Sequence, residues 1–195
     1  YAGTEYTTGL YTVNGVPTAD KVEADKLADA ATVAAAKFDG PVYLRFGRPS
    51  VPNFTGADEP FEIGKVYNLN EGTDVTFVVC GHLVWEALQA AEALEAEGIS
   101  AEVLNVATIK PLDEQAIIES VKKTGKVLIV GDACERNSVM RDMASNITEM
   151  CFDYLDGPPV VVGSRNWITP AFELEKSFFP QASWIIDALA EKILP

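Results

Sequence analysis

The chain has 195 residues, nearly half of them apolar, which suffices for one substantial core plus an appendage rather than two full domains. Its 29 Asp and Glu against 15 Lys and Arg give a formal charge of −14, a field that repels a phosphate backbone and an anionic bilayer alike, so neither nucleic acid nor a membrane is expected as a partner. No apolar run approaches the roughly 20 residues that span a bilayer, and Cys80, Cys134 and Cys151 are too far apart for a CxxC pair or a zinc set, reading instead as free thiols in a reducing, cytoplasmic setting.

Residues 1–18 are rich in Tyr, Thr and Gly and lack periodicity, so they read as irregular or weakly extended. From Asp20 to Phe38, Val22, Leu27, Ala30, Ala31, Ala34 and Ala35 fall near one face of an amphipathic helix. Gly40-Pro41 ends it, and Val42 to Phe46 reads as a strand. Between Pro49 and Pro60 three prolines with Asp58 and Glu59 suit an extended linker, which places a domain boundary there: 1–48, a linker at 49–60, and 61–195.

Beyond the linker, strand and helix signals alternate as in βαβ units. Phe61 to Tyr67 is expected to be an edge strand. Asp74 to Cys80 is continuously apolar, the pattern of a strand buried on both faces in a parallel sheet. A helix follows Gly81 and runs to about Glu97, with Val84, Leu88, Ala91 and Leu94 inward and Gly98 as its stop. Glu102–Val106 is the next strand, and Pro111-Leu112-Asp113 opens a helix that closes at Gly125. Strand Lys126–Val130, helix Asn137–Phe152, strand Pro159–Gly163 and helix Ser183–Ile193 complete a three-layer α/β/α fold with right-handed crossovers.

The segment GPVYLRFGRPSVP at Gly40–Pro52, then FEIGK, EGTDVTFVVCG, ALQAAEALEAEGISAEVLNV and TIKPLDEQAI, closely resembles transketolases and 1-deoxyxylulose-5-phosphate synthases, at the join of their pyrimidine-binding and C-terminal domains. The tail, FDYLDGPPVVV at Phe152–Val162 and ITPAFELEKSFFP after it, is similar to the beta subunit of the decarboxylating component of 2-oxoacid dehydrogenase complexes. The resemblance implies a five-stranded mixed sheet whose first strand, Phe61–Tyr67, runs antiparallel to the rest. It also implies thiamine diphosphate with Mg²⁺ in the complete enzyme, held between the pyrophosphate-binding and pyrimidine-binding domains of a homo- or hetero-oligomer. The family's activating Glu lies upstream of the matching region. No catalytic residue, metal ligand or cofactor site is therefore expected on this chain alone.

Three side chains are singled out. Arg48, in Arg45-Phe46-Gly47-Arg48, resembles the position from which phospho-sugar members present an Arg to the substrate phosphate; its guanidinium stays charged and its fork matches two phosphate oxygens. A surface ion pair is the alternative role. Arg45 alternates in direction with Phe46 and reads as structural. His82, the single histidine, sits at a strand-to-helix turn where a general base is conceivable, yet no orienting acid stands beside it in the sequence, and the helix N-terminus disfavours an imidazolium. The loop Gly131–Asn137 lies where open α/β sheets bind ligands, with acids but without the family's glycines. Phe178, Phe179, Trp167 and Trp184 read as core or subunit-contact residues.

Overall fold

The structure, a computed structural model, describes residues 12–13, 16–17, 22–47, 51 and 61–193. The chain folds as two compact units, Tyr1–Ile63 and Gly64–Pro195. In the first, β1 (Thr12–Val13) pairs antiparallel with β2 (Val16–Pro17), and α1 spans Val22–Lys37. Gly40, at φ 145°, follows the helix. The strand expected at Val42–Phe46 does not form: residues 41–47 are in no ladder, and Val42, Tyr43 and Phe46 are exposed, Tyr43 at 87%. A strand needs a neighbour to take its backbone hydrogen bonds.

The second unit is a five-stranded mixed sheet. Its strands are β3 (Tyr67–Asn70), β4 (Val75–Val79), β5 (Ala101–Asn105), β6 (Val127–Cys134) and β7 (Val160–Ser164), in the order β3-β5-β4-β6-β7. β3 runs antiparallel to β5, and all other pairings are parallel. The antiparallel first strand agrees with what the resemblance implies, but it lies at Tyr67–Asn70 rather than Phe61–Tyr67. Its position is set by cross-strand pairing, Tyr67 opposite Asn105 and Asn68 opposite Leu104, and not by local apolar content.

Four longer helices cover the sheet: α2 (Val84–Ala96), α3 (Glu114–Thr124), α4 (Val139–Cys151) and, after the one-turn α5 (Glu175–Phe178), α6 (Ala182–Lys192). α2 packs with α6, and α3 with α4, one pair on each face. Alternation along the strands divides the core accordingly. Val78 and Ile129 join Ile117, Val121, Met143 and Ile147 beneath α3 and α4. Phe77 and Leu128 are on the opposite side of their strands, and Leu83, Leu94, Ile185 and Leu189 supply the buried apolar side chains of α2, α6 and the turn before α2. Each such large side chain contributes about 1.5–3 kcal/mol on leaving water. All five residues of β4 are buried, which explains the unbroken apolar run in the sequence.

α3 begins and ends as its sequence dictates. Asp113 is the N-cap, its side chain accepting from the Ala116 N–H at 3.3 Å, and Gly125 closes the helix in the left-handed region at φ 66°. At α6 the N-cap Gln181 makes no side-chain cap. The carboxylate of Glu86, on α2, accepts from the Ala182 N–H at 2.9 Å instead, so one helix caps the next.

Candidate functional site

Chain order and strand order together locate a crevice. The β4–α2–β5 connection moves to one side of β4, whereas β5–α3–β6 and β6–α4–β7 move to the other. The direction reverses between the carboxyl ends of β4 and β6, the place where open α/β sheets bind ligands. There β4 is tied to its neighbours by the Cys80 N–H donating to the Val130 carbonyl at 3.0 Å and the Val106 N–H donating to the Val79 carbonyl at 2.8 Å.

His82 projects from the single 3₁₀ turn Gly81–Leu83 that follows β4. Gly81, at φ 70°, makes that turn possible. Its Nδ1 lies 3.6 Å from Oδ2 of Asp132 on β6, both side chains nearly buried at 12% and 13% exposed. This supplies the acid that sequence proximity could not: the two residues are fifty positions apart. The imidazole also meets Phe179, edge to face at a centroid distance of 5.7 Å, and Phe179 packs likewise on Phe178 at 4.9 Å.

The stretch Gly131–Cys134 is strand rather than loop. β6 continues through it and regains pairing with β7 at Cys134 opposite Ser164, after an irregularity. The loop before α4 is therefore only 135–138, with Asn137 at φ 54°. Cys134 donates its S–H to Oδ1 of Asn166 at 3.2 Å. The Cys80 thiol is pushed up to about 12, first by burial and then by the nearby Asp132 charge, so it stays protonated and is no nucleophile at neutral pH. Burial likewise raises the Cys151 thiol.

The segment between β7 and α6 meets this end of the sheet at Asn166 and Phe179. The Arg165 N–H donates to the Phe178 carbonyl at 3.0 Å, and the Arg165 guanidinium lies 4.1 Å from the Trp184 ring centre. Between these anchors Trp167, Ile168, Phe172 and Leu174 are exposed, Ile168 at 94%. Phe178 is core, as one of its expected roles had it, whereas Trp167 points to solvent. A cavity of about 120 Å³ lies elsewhere, by Lys126 at the amino end of β6, where Lys126 already pairs with Asp156 at 2.9 Å.

Of the three singled-out side chains, His82 is part of this arrangement. Arg45 is exposed on residues 41–47, which form no strand, and Arg48 lies outside the described residues.

An open α/β sheet of this order, doubly covered by helices and carrying one antiparallel edge strand, defines the class. Within it, the family model for transketolase, C-terminal domain, matches residues 64–185, more than half of the chain. The chain belongs to that family. It is 41% identical over 128 residues to the 6-deoxy-6-sulfo-D-fructose transketolase subunit SqwH of Clostridium sp. (strain MSTE9), which covers 66% of this chain and 38% of that one. It is 46% identical over 101 residues to the 2-oxoisovalerate dehydrogenase subunit beta of Bacillus subtilis (strain 168), covering 52% of this chain and 31% of the relative. A solved split-gene transketolase, an inactive β4 tetramer, superposes at TM-score 0.72 with 36% identity, over 85% of this chain and 53% of that one. The resemblance to both the transketolase and the 2-oxoacid dehydrogenase branches therefore holds, and the chain spans well under half the length of either curated relative.

Proposed function

We propose that this chain is the C-terminal assembly portion of a thiamine-diphosphate-dependent, transketolase-like enzyme, inactive until joined by pyrophosphate-binding and pyrimidine-binding domains. The observation that carries this reading is the match of residues 64–185 to the transketolase C-terminal family on a chain that spans only 38% of a transketolase subunit. The exposed Val42, Tyr43 and Phe46 support it, since exposed apolar side chains on a segment that forms no strand suit a surface covered elsewhere. In this reading 1–48 is the remnant of the pyrimidine-binding domain, 49–60 the linker and 61–195 the C-terminal domain, working in the cytoplasm within a homo- or hetero-oligomer.

Among the described residues, no group of three or more His, Cys, Asp or Glu side chains gathers to hold a metal ion. His82 and Asp132 face one another, which is a poor setting for a diphosphate bearing its own negative charge. The described residues thus do not fit the cofactor, and no catalytic step is derived through it. Arg48 is the substrate contact we propose for the complete enzyme, as a fork for a substrate phosphate.

A second reading, a 2-oxoacid dehydrogenase beta-subunit domain that dimerises and docks a partner, is favoured by the 46% identity to the 2-oxoisovalerate dehydrogenase subunit. One substitution separates the two. In the assembled enzyme, Arg48→Ala under the phosphate reading raises KM for phosphorylated substrates alone, with a loss of roughly ten- to a hundred-fold in kcat/KM. Equal losses for phosphorylated and unphosphorylated substrates retire the phosphate role and leave the dehydrogenase reading.

A further inference from the structure

Four large apolar side chains fall within one short stretch between β7 and α6 and stay in water: Trp167, Ile168, Phe172 and Leu174, with Ile168 94% exposed. The stretch is no loose tail. Its start is tied to the domain by the Arg165 N–H on the Phe178 carbonyl at 3.0 Å and by Asn166 accepting from Cys134 at 3.2 Å. Its middle is the 3₁₀ turn Phe172–Leu174, closed by the Leu174 N–H donating to the Ala171 carbonyl at 3.0 Å, and its end is anchored by the buried Phe178. The backbone thus displays the four side chains from a fixed frame. Side chains of this size expose on the order of 500 Å² together, a large share of the roughly 800 Å² that one partner gives to a stable interface.

We propose that this stretch is a self-complementary contact through which two copies of the chain pair about a two-fold axis. Such pairing presupposes that the chain is an assembly portion, as proposed above, and gives that portion a surface and a partner.

Charge selects the occupant. A chain of net charge −14 repels its own copies wherever that charge faces itself. Residues 165–181 escape this, because Arg165 and Lys176 balance Glu173 and Glu175 and leave the stretch neutral. A strongly basic partner finds no excess of acid there, and a strongly acidic one no excess of base. Glu173 and Lys176 are both exposed, three positions apart on either side of Leu174 and Glu175, and neither forms an ion pair among the described residues. A two-fold axis passing between them sets Glu173 of each copy beside Lys176 of the other, flanking the apolar centre. That is an isologous contact, in which one surface supplies both halves of every pair.

Sedimentation equilibrium of the 195-residue chain over a range of concentrations is expected to show a monomer–dimer equilibrium. Ile168→Asp, which would bury an unpaired carboxylate from each copy, should weaken the dimer by roughly a hundredfold or more. It should leave the unfolding midpoint of the monomer unchanged, since Ile168 stands in solvent in the single chain. Glu173→Lys alone should weaken the dimer on the order of tenfold, and adding Lys176→Glu should restore it, a rescue that a merely structural role for either residue does not give. If Ile168→Asp fails to fold, this charge exchange decides. A chain that is monomeric throughout, or a dimer indifferent to Ile168→Asp and to the charge exchange, overturns the proposal. So does a chain that is monomeric alone and covers the stretch only when the pyrophosphate-binding and pyrimidine-binding domains are added, since the occupant is then another protein. The measurement involves no thiamine diphosphate, so its failure is told apart from failure of the assembly reading, which shows as cofactor binding by the chain alone.

Discussion

Glu102 on β5 and Lys123 on α3 meet at 2.6 Å, with the carboxylate's side chain only 4% exposed and the ammonium's 38%. The carboxylate is buried with donors on both of its oxygens, Lys123 Nζ on Oε1 among them. Oε1 also accepts from Asn68 Nδ2 at 2.7 Å, and Oε2 accepts from the Ser120 hydroxyl. That assignment orders the hydroxyls behind it. With the Ser120 proton given to the carboxylate, Thr76 donates to Ser120 and Thr124 to Thr76, each at 2.7 Å, inside the core. Asn68 belongs to β3, so the same carboxylate pins the antiparallel edge strand in register.

Removing the cation should cost more than removing the charge of the anion. Lys123→Met leaves the buried Glu102 carboxylate without its cation, at an expected loss of about 1–3 kcal/mol, whereas Glu102→Gln keeps the Asn68 contact through its amide oxygen, turns the Ser120 hydroxyl from donor to acceptor of its amide N–H, and should lose about 1 kcal/mol. Urea unfolding of both variants checks the order. Lys123 is raised above 10.5, chiefly by its hydrogen bond to Glu102. A raised lysine stabilises the fold below its unfolded value and ceases to do so as pH climbs beyond it. The stability gap between wild type and Lys123→Met should therefore narrow above pH 10.5, by an amount moderated by the solvent around the exposed ammonium.

Glu86→Ala removes the remote cap of α6. The Ala182 N–H is left without its acceptor, at an expected cost of about 1 kcal/mol. Hydrogen exchange should quicken at residues 182–185 and not in α3, whose own cap, Asp113, is untouched. Equal changes in both helices would refute the assignment.

Two glycines permit the close approach of β6, β7 and α4. A Cβ on Gly163 would lie 2.6 Å from the Ala133 carbonyl oxygen, which is backbone and cannot yield. A Cβ on Gly131 would meet the Met140 sulfur at 2.5 Å, the adaptable end of a flexible side chain. Gly163→Ala should accordingly destabilise by about 2–3 kcal/mol and Gly131→Ala by about 1 kcal/mol, compared by thermal unfolding. The reverse order would contradict the packing.

What the sequence revealed and what it hid divide along physical lines. β4 and the ends of α3 were legible because their causes are local: an unbroken apolar run for a strand covered on both faces, an Asp that caps and a Gly that turns left-handed. β3 was misplaced by several residues because its position is fixed by pairing with β5 and by Asn68 reaching Glu102. The Val42–Phe46 segment has strand residues but forms no ladder with the described residues. At the site, the Gly81 turn announced where His82 would sit, whereas its partner Asp132 comes from a strand fifty residues on and was invisible to local reading. Glu102 offered only an indirect signal, Ser120 and Lys123 spaced three apart on one helix face.

The central claim, that this chain lacks a thiamine-diphosphate site until other domains complete it, is tested most directly by calorimetric titration of thiamine diphosphate and Mg²⁺. The titration is made into the 195-residue chain alone, and again after co-expression with a protein that supplies the pyrophosphate-binding and pyrimidine-binding domains. The account predicts no saturable heat for the chain alone and Mg²⁺-dependent saturable binding for the assembly. Mg²⁺-dependent, saturable binding to the chain alone would contradict it.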